Sequence, residues 1–225
     1  MSRARNGDVI ARSSEVVANI SLAMENARDV DPRLIDQCVF LWNVSWEHYE
    51  ALVAMRGESS RPRIAYLKGA VELMSPGTAH ETDKKRLARL IEAWSEEAEI
   101  DLDGVGSWTL ENEELERAVE PDECYIVCDR HKTTPKVPDF AIEVIYTSGC
   151  IDKLEIYRAL GVREVWLWED DALAFHVLRG SRYVKAQRST LVPTLDPKLI
   201  ARFVRFEGRQ VEAVRALRRA MRRKR

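Results

Sequence analysis

The chain has 225 residues, 45% hydrophobic and 32% charged, with a formal net charge of −2. That length suits one core with extensions, and the near-neutral balance excludes wholesale coating of nucleic acid, leaving room only for a local basic patch. No apolar run reaches the ~18 residues of a membrane span, the polar stretch MSRARNGDVIARSSEVV lacks a signal pattern, and Cys38, Cys124, Cys128 and Cys150 lack paired zinc spacing; a reduced, cytoplasmic protein is expected.

Residues 1–43 read as an N-terminal extension, with SEVVANISLAMENARDV compatible with a short helix. A domain is expected over 44–206. It begins with NVSWEHYEALVAMRG, a helix capped by Ser45 with Trp46, Tyr49, Leu52 and Val53 at helical spacing. RIAYLKGAVELMSPG alternates about Lys68 and Gly69 as a hairpin, broken by Ser75, Pro76 and Gly77. HETDKKRLARLIEAWSEE is the strongest helix, with Leu87, Leu90, Ile91, Trp94 and Ala98 as its apolar stripe.

Three β-like runs follow: IDLDGVGSWTL, DECYIVCD and VPDFAIEVIY. CIDKLEIYRALG is a short helix ended by Gly161, REVWLWED another strand, and a hairpin about Arg179 and Gly180 precedes VPTLDPKLIARFV. This order predicts an α/β (α+β) fold, one mixed sheet flanked by helices, with a helical and hairpin N-terminal extension. Residues 207–225 form a basic tail ending AVRALRRAMRRKR. It serves either to grip phosphates or as a solvated helix end whose cations suit the helix dipole.

Chemistry concentrates in VPDFAIEV, residues 137–144, where Asp139 and Glu143 share one strand face while Phe140, Ile142 and Val144 share the other. If DECYIVCD pairs antiparallel with it, centred near Lys132 or Thr133, Asp122 falls opposite Glu143 with Cβ atoms about 5 Å apart. Two facing carboxylates repel, and a hard divalent cation such as Mg²⁺ resolves that repulsion. A one-residue slip would separate the pair. Asp139 lies about 13 Å along the strand from Glu143, so a strand-end role suits it as well as a catalytic one.

Lys153 occupies the first turn of its helix, in line with Tyr157 and Leu160 on the buried side. It either meets the carboxylates or snorkels over apolar surface. His80 opens the long helix in line with Lys84, Leu87, Ile91 and Trp94, where a structural histidine is the plain reading. Glu81, at the edge of that stripe, is explicable as a first-turn acid.

EPDECYIVCD, VPDFAIEV and IDKLEIYRALGVREVWLW, in that order, resemble the Uma-two family of restriction endonucleases within the PD-(D/E)XK superfamily. VSWEHYEALV, YLKGAVELMSPGTAHE and GSWTLENEELERAVEPDE extend the resemblance to roughly residues 44–204. It implies a restriction-endonuclease-like core that cuts DNA with Mg²⁺ or Mn²⁺, a homodimer being suited to double-strand cleavage. Asp122 matches the superfamily's first strand acid and Glu143 the acid of its E-x-K motif; these are the implied metal ligands. Ile145 stands where the motif has lysine, and Lys153 is the matching cation, displaced to the next helix. Glu81 matches the extra acid of the first helix, with His80 beside it. A catalytically inactive module that binds nucleic acid or protein is the alternative.

Overall fold

The structure, a computed structural model, describes residues 35–133, 135–146 and 151–223. The helix expected over SEVVANISLAMENARDV, and Cys150, lie outside the described residues.

The elements run β1 (Gln37–Leu41), α1 (Trp46–Arg56), β2 (Arg63–Leu67), β3 (Ala70–Ser75), α2 (Thr78–Ala98), β4 (Leu102–Gly104), β5 (Leu110–Asn112), β6 (Arg117–Val119), β7 (Glu123–Val127), a 3₁₀ turn (Cys128–Arg130) and β8 (Phe140–Val144). Then come α3 (Lys153–Leu160), β9 (Glu164–Glu169), β10 (Ala172–Arg179), β11 (Arg182–Ala186), α4 (Pro197–Val204) and α5 (Gln210–Arg222).

The expected single sheet is in fact two. One has five strands in the order β1-β3-β2-β6-β5, the other six in the order β11-β10-β9-β8-β7-β4. Among the described residues only β8 and β9 pair in parallel, joined by the crossover through α3. IDLDGVGSWTL, read as one β run, is divided between the sheets as β4 and β5. Its glycines explain the break: Gly106 takes φ +70°, and a Cβ at Gly104 would lie 3.2 Å from the Tyr125 ring.

Local chemistry sets the other elements. Ser45 Oγ accepts from His48 N at 3.3 Å to cap α1. The β2–β3 turn places Lys68 and Gly69 both at positive φ, as a two-residue hairpin of matched twist requires. Asp152 caps α3, accepting from Glu155 N at 3.1 Å, and Gly161 ends it in the left-handed region at φ +79°.

The six-stranded sheet is buried on both faces. Against one face pack Leu87, Leu90, Ile91 and Trp94 of α2, Ile200, Phe203 and Val204 of α4, and Ala213 and Leu217 of α5. There Tyr125, Phe140, Trp166 and Phe175 form a row across four strands, with successive ring centroids 5.1, 4.0 and 4.9 Å apart. The other face meets α3 and the five-stranded sheet through Ala141, Cys124, Tyr157, Val165, Ala65 and Val119. Helix α1 covers the far side of the five-stranded sheet with Tyr49, over Tyr66 and Val71.

The basic C-terminus is therefore a docked helix and not a loose tail. Arg218 and Arg222 pair with Glu97 of α2 at 3.0 and 2.8 Å, and its apolar face belongs to the core. No helix among the described residues is long and apolar enough to cross a membrane.

Candidate active site

The strand register decides which acids meet. Glu123 pairs with Ile142, Cys124 with Ala141 and Tyr125 with Phe140. Continued by one residue, this sets Asp122 opposite Glu143, on the face toward α3 and the five-stranded sheet. Asp122 Oδ2 accepts from Val144 N at 2.7 Å, so its backbone partner fixes the carboxylate at the end of the ladder.

The two carboxylates then turn to different cations. Asp122 Oδ1 meets Arg63 Nη1 and lies 2.8 Å from His80 Nε2. Glu143 Oε2 lies 3.1 Å from Lys153 Nζ, while its Oε1 accepts from the Tyr157 hydroxyl. Lys153 and Tyr157 stand one turn apart on α3, so a single helix face supplies both donors. The repulsion expected between the acids is thus relieved by the protein's own cations.

Four residues of this cluster escaped the sequence reading. Arg63 and Glu72 come from the β2–β3 hairpin, where Ala65 pairs with Glu72; that register puts Arg63, Ala65 and Glu72 on one inward face. The hairpin pattern of RIAYLKGAVEL sets which residues share a face, but nothing in it says what that face meets. Tyr157 stood in the α3 stripe but passed for core. Asp36, just before β1, had no signal at all: its Oδ2 lies 2.9 Å from His80 Nδ1, and its Oδ1 accepts from Gly77 N at 2.8 Å. His80 is therefore bridged between two carboxylates, Asp36 and Asp122.

Glu72 is the least satisfied member. Its residue is 3% exposed, its Oε1 lies 3.5 Å from Lys153 Nζ, and its Oε2 is buried with no hydrogen-bond partner among the described residues. Burial pushes its carboxyl above the usual range, Lys153 offsetting this in part and Glu143 adding to it. Burial also works against the Lys153 ammonium, but Glu143 and Glu72 outweigh it and hold the pKa above its ordinary value; Lys153 is a cation, not a base. Burial and the neighbouring Glu143 charge raise the Tyr157 phenol well above its usual range, so it donates as a neutral hydroxyl.

Glu81 sits at the rim, beside this cluster. It lies 2.8 Å from Lys84, 3.3 Å from Arg63 and 3.7 Å from Arg61, and these cations overcome partial burial to lower its pKa. Asp139 is not brought in. At the opposite end of β8 its Oδ2 accepts from Val127 N at 2.9 Å and lies 2.6 Å from His131 Nε2, holding the loop between β7 and β8.

Among the described residues, no three His, Cys, Asp or Glu side chains converge closely enough to hold an ion as they stand. The donor chemistry nevertheless suits a hard divalent cation. Three carboxylates gather in one buried cluster, and one of their oxygens has no partner among the described residues.

A family model named Uma2, "Putative restriction endonuclease", matches residues 46–204. Among solved structures, the crystal structure of "a putative nuclease belonging to DUF820" from Anabaena variabilis ATCC 29413 is similar over 67% of this chain and 96% of that one, at 11% identity and a TM-score of 0.47. No curated protein matches. Asp36 lies upstream of the span that the family model matches.

Proposed function

Since the chain belongs to the Uma2 family of restriction-endonuclease-like proteins, we propose that it is an endonuclease that hydrolyses DNA phosphodiesters with Mg²⁺ or Mn²⁺. The observation that carries this reading is the convergence of Asp122, just before β7, Glu143 of β8 and Lys153 of α3 in one buried cluster.

Asp122 and Glu143 would hold the ion, which when bound supplies charge to polarise the scissile phosphate and to acidify water. The chain's own residues prepare for that chemistry. Val144 N–H, Arg63 and His80 fix Asp122, and Asp36 fixes His80 from behind. Tyr157 orients Glu143. Lys153, whose pKa Glu143 and Glu72 hold above its ordinary value, offsets the negative charge that builds on the phosphate oxygens as the bond breaks. Its place on a helix, with Ile145 at the usual motif position, moves the cation's origin without removing it from the acids.

One observation favours a second reading, an inactive binding module: every oxygen of Asp122 and Glu143 already has a partner within the protein. A single assay separates the two. Purified protein is incubated with supercoiled plasmid and with single-stranded DNA, in Mg²⁺ or Mn²⁺ and then in EDTA. Metal-dependent cutting that falls by about 10³-fold or more in Glu143→Gln, with circular dichroism unchanged, supports the nuclease. Metal-independent cutting, or none, or full activity in Glu143→Gln, sinks it.

A further inference from the structure

Resting on that reading, we infer that Glu72 supplies the third carboxylate of the metal site, in place of the helix acid Glu81. Lys153 holds the position between Glu72 and Glu143 until an ion arrives.

The argument begins with what Glu72 lacks. A buried carboxylate ordinarily gathers donors to both oxygens. Glu72 sits on β3, flanked on both sides by β1 and β2, where Phe40 and Ala65 are its paired neighbours. Water therefore has no sheet edge from which to reach it. Yet among the described residues its Oε2 has no partner, and its Oε1 has only the long contact to Lys153. No fold requirement explains an acid there, since the neighbouring inward positions Ala65 and Ala70 are apolar and packed.

Charge points the same way. Lys153 brings one positive charge between two carboxylates, Glu72 and Glu143. Arg63 is taken by Asp122 and Glu81. The side chain of Lys153 is 23% exposed, so the ammonium can move toward solvent or a bound phosphate without unfolding its helix. A divalent ion in its stead balances both acids and uses the unpartnered oxygen. Glu81, by contrast, has three cations around it and a side chain 28% exposed. It has no unmet demand.

Mn²⁺ binding to the full-length protein tests this, followed by electron paramagnetic resonance or calorimetry without DNA. Glu72→Gln preserves size and has no Oε2 partner to lose, so it folds. It is expected to weaken Mn²⁺ binding by at least about tenfold, whereas Glu81→Gln changes it by less than about threefold. Lys153→Met removes the resident cation, lowers the metal-free melting temperature and tightens Mn²⁺ binding; unchanged or weaker binding overturns the place-holding role. If the wild type binds Mn²⁺, Glu143→Gln abolishes binding and Glu72→Gln leaves it intact, the Glu72 assignment alone is overturned. Failure of the wild type itself to bind Mn²⁺ overturns the underlying metal-site reading, and the assignment with it.

Discussion

Glu164 and Asp83, buried on one face of the six-stranded sheet, and Glu72 of the five-stranded sheet, packed over the other face, are treated differently. On the face toward α2 and α4, Glu164 accepts from the Trp166 indole at 2.9 Å, from both Thr190 N and Thr190 Oγ1 at 2.6 Å, and from Leu191 N at 3.2 Å. Asp83 there takes the Tyr146 hydroxyl at 2.7 Å, the Trp168 indole at 3.0 Å and both terminal nitrogens of Arg205. On the opposite face, Glu72 has one contact at 3.5 Å and an unpartnered oxygen. Burial alone therefore does not mark a functional acid. Glu164 and Asp83, whose donors come from backbone, indole and arginine groups that link separate elements, hold the chain in place. Glu72, left short of donors, has acceptor capacity for something else. Asp122 and Glu143, whose oxygens all have partners, would bind an ion only by exchanging some of them.

The largest stability effect tests the first half of that contrast. Glu164→Ala strands several buried donors, at about 1–3 kcal/mol each when unrelieved, and is expected to cost roughly 3–5 kcal/mol in total. Chemical denaturation measures it. Mn²⁺ affinity of the folded variant should match the wild type, because Glu164 faces away from the cluster. A loss below about 1 kcal/mol would remove the distinction between architectural and functional acids.

Glu72→Gln in metal-free buffer tests the other half. With one long contact to lose, and Lys153 still held by Glu143 at 3.1 Å, the expected change is under about 1 kcal/mol. A drop as large as that of Glu164→Ala would mean that Glu72 is a structural partner of Lys153. The contrast would then collapse from the opposite side.

The sequence announced the centre of this site more clearly than its surroundings. Period-two alternation in DECYIVCD and VPDFAIEV, with the length of the intervening loop, placed Asp122 across from Glu143. Period 3.6 pointed Lys153 and His80 inward, because each of these signals lies within one element or one hairpin. Asp36, Arg63 and Glu72 were hidden because their significance arises between the two sheets, and no local period reports how one sheet stacks on another. The same limit turned two sheets into one. Strands of three residues such as β5 and β6 are too short to show alternation, and β4 and β5 lie in one continuous run although their partners differ. Asp139 shows the converse. Following proline on the acid-bearing face, it looked as exceptional as Glu143, and only its distance along the strand hinted at its separate task beside His131.

A third class of acid provides the smallest and most selective test. Glu97, near the C-terminal end of α2, owes its partners to α5: hydrogen bonds from Arg222 and Arg218 outweigh burial and pull its pKa from 4.5 to about 2. A carboxylate whose folded pKa is depressed stabilises the fold fully above its unfolded value and loses that contribution as pH falls toward the folded value. Glu97→Gln should therefore lower the melting temperature slightly and evenly from pH 7 down to about 5. Between pH 4.5 and 2 the gap to wild type should close, and added salt should shrink it at neutral pH because Arg222 meets Glu97 from the solvent side. A gap that persists at pH 2, or resists salt, would show that Glu97 acts through packing rather than charge. Glu97 would then belong with Glu164 as an acid whose partners fix the packing of one element on another.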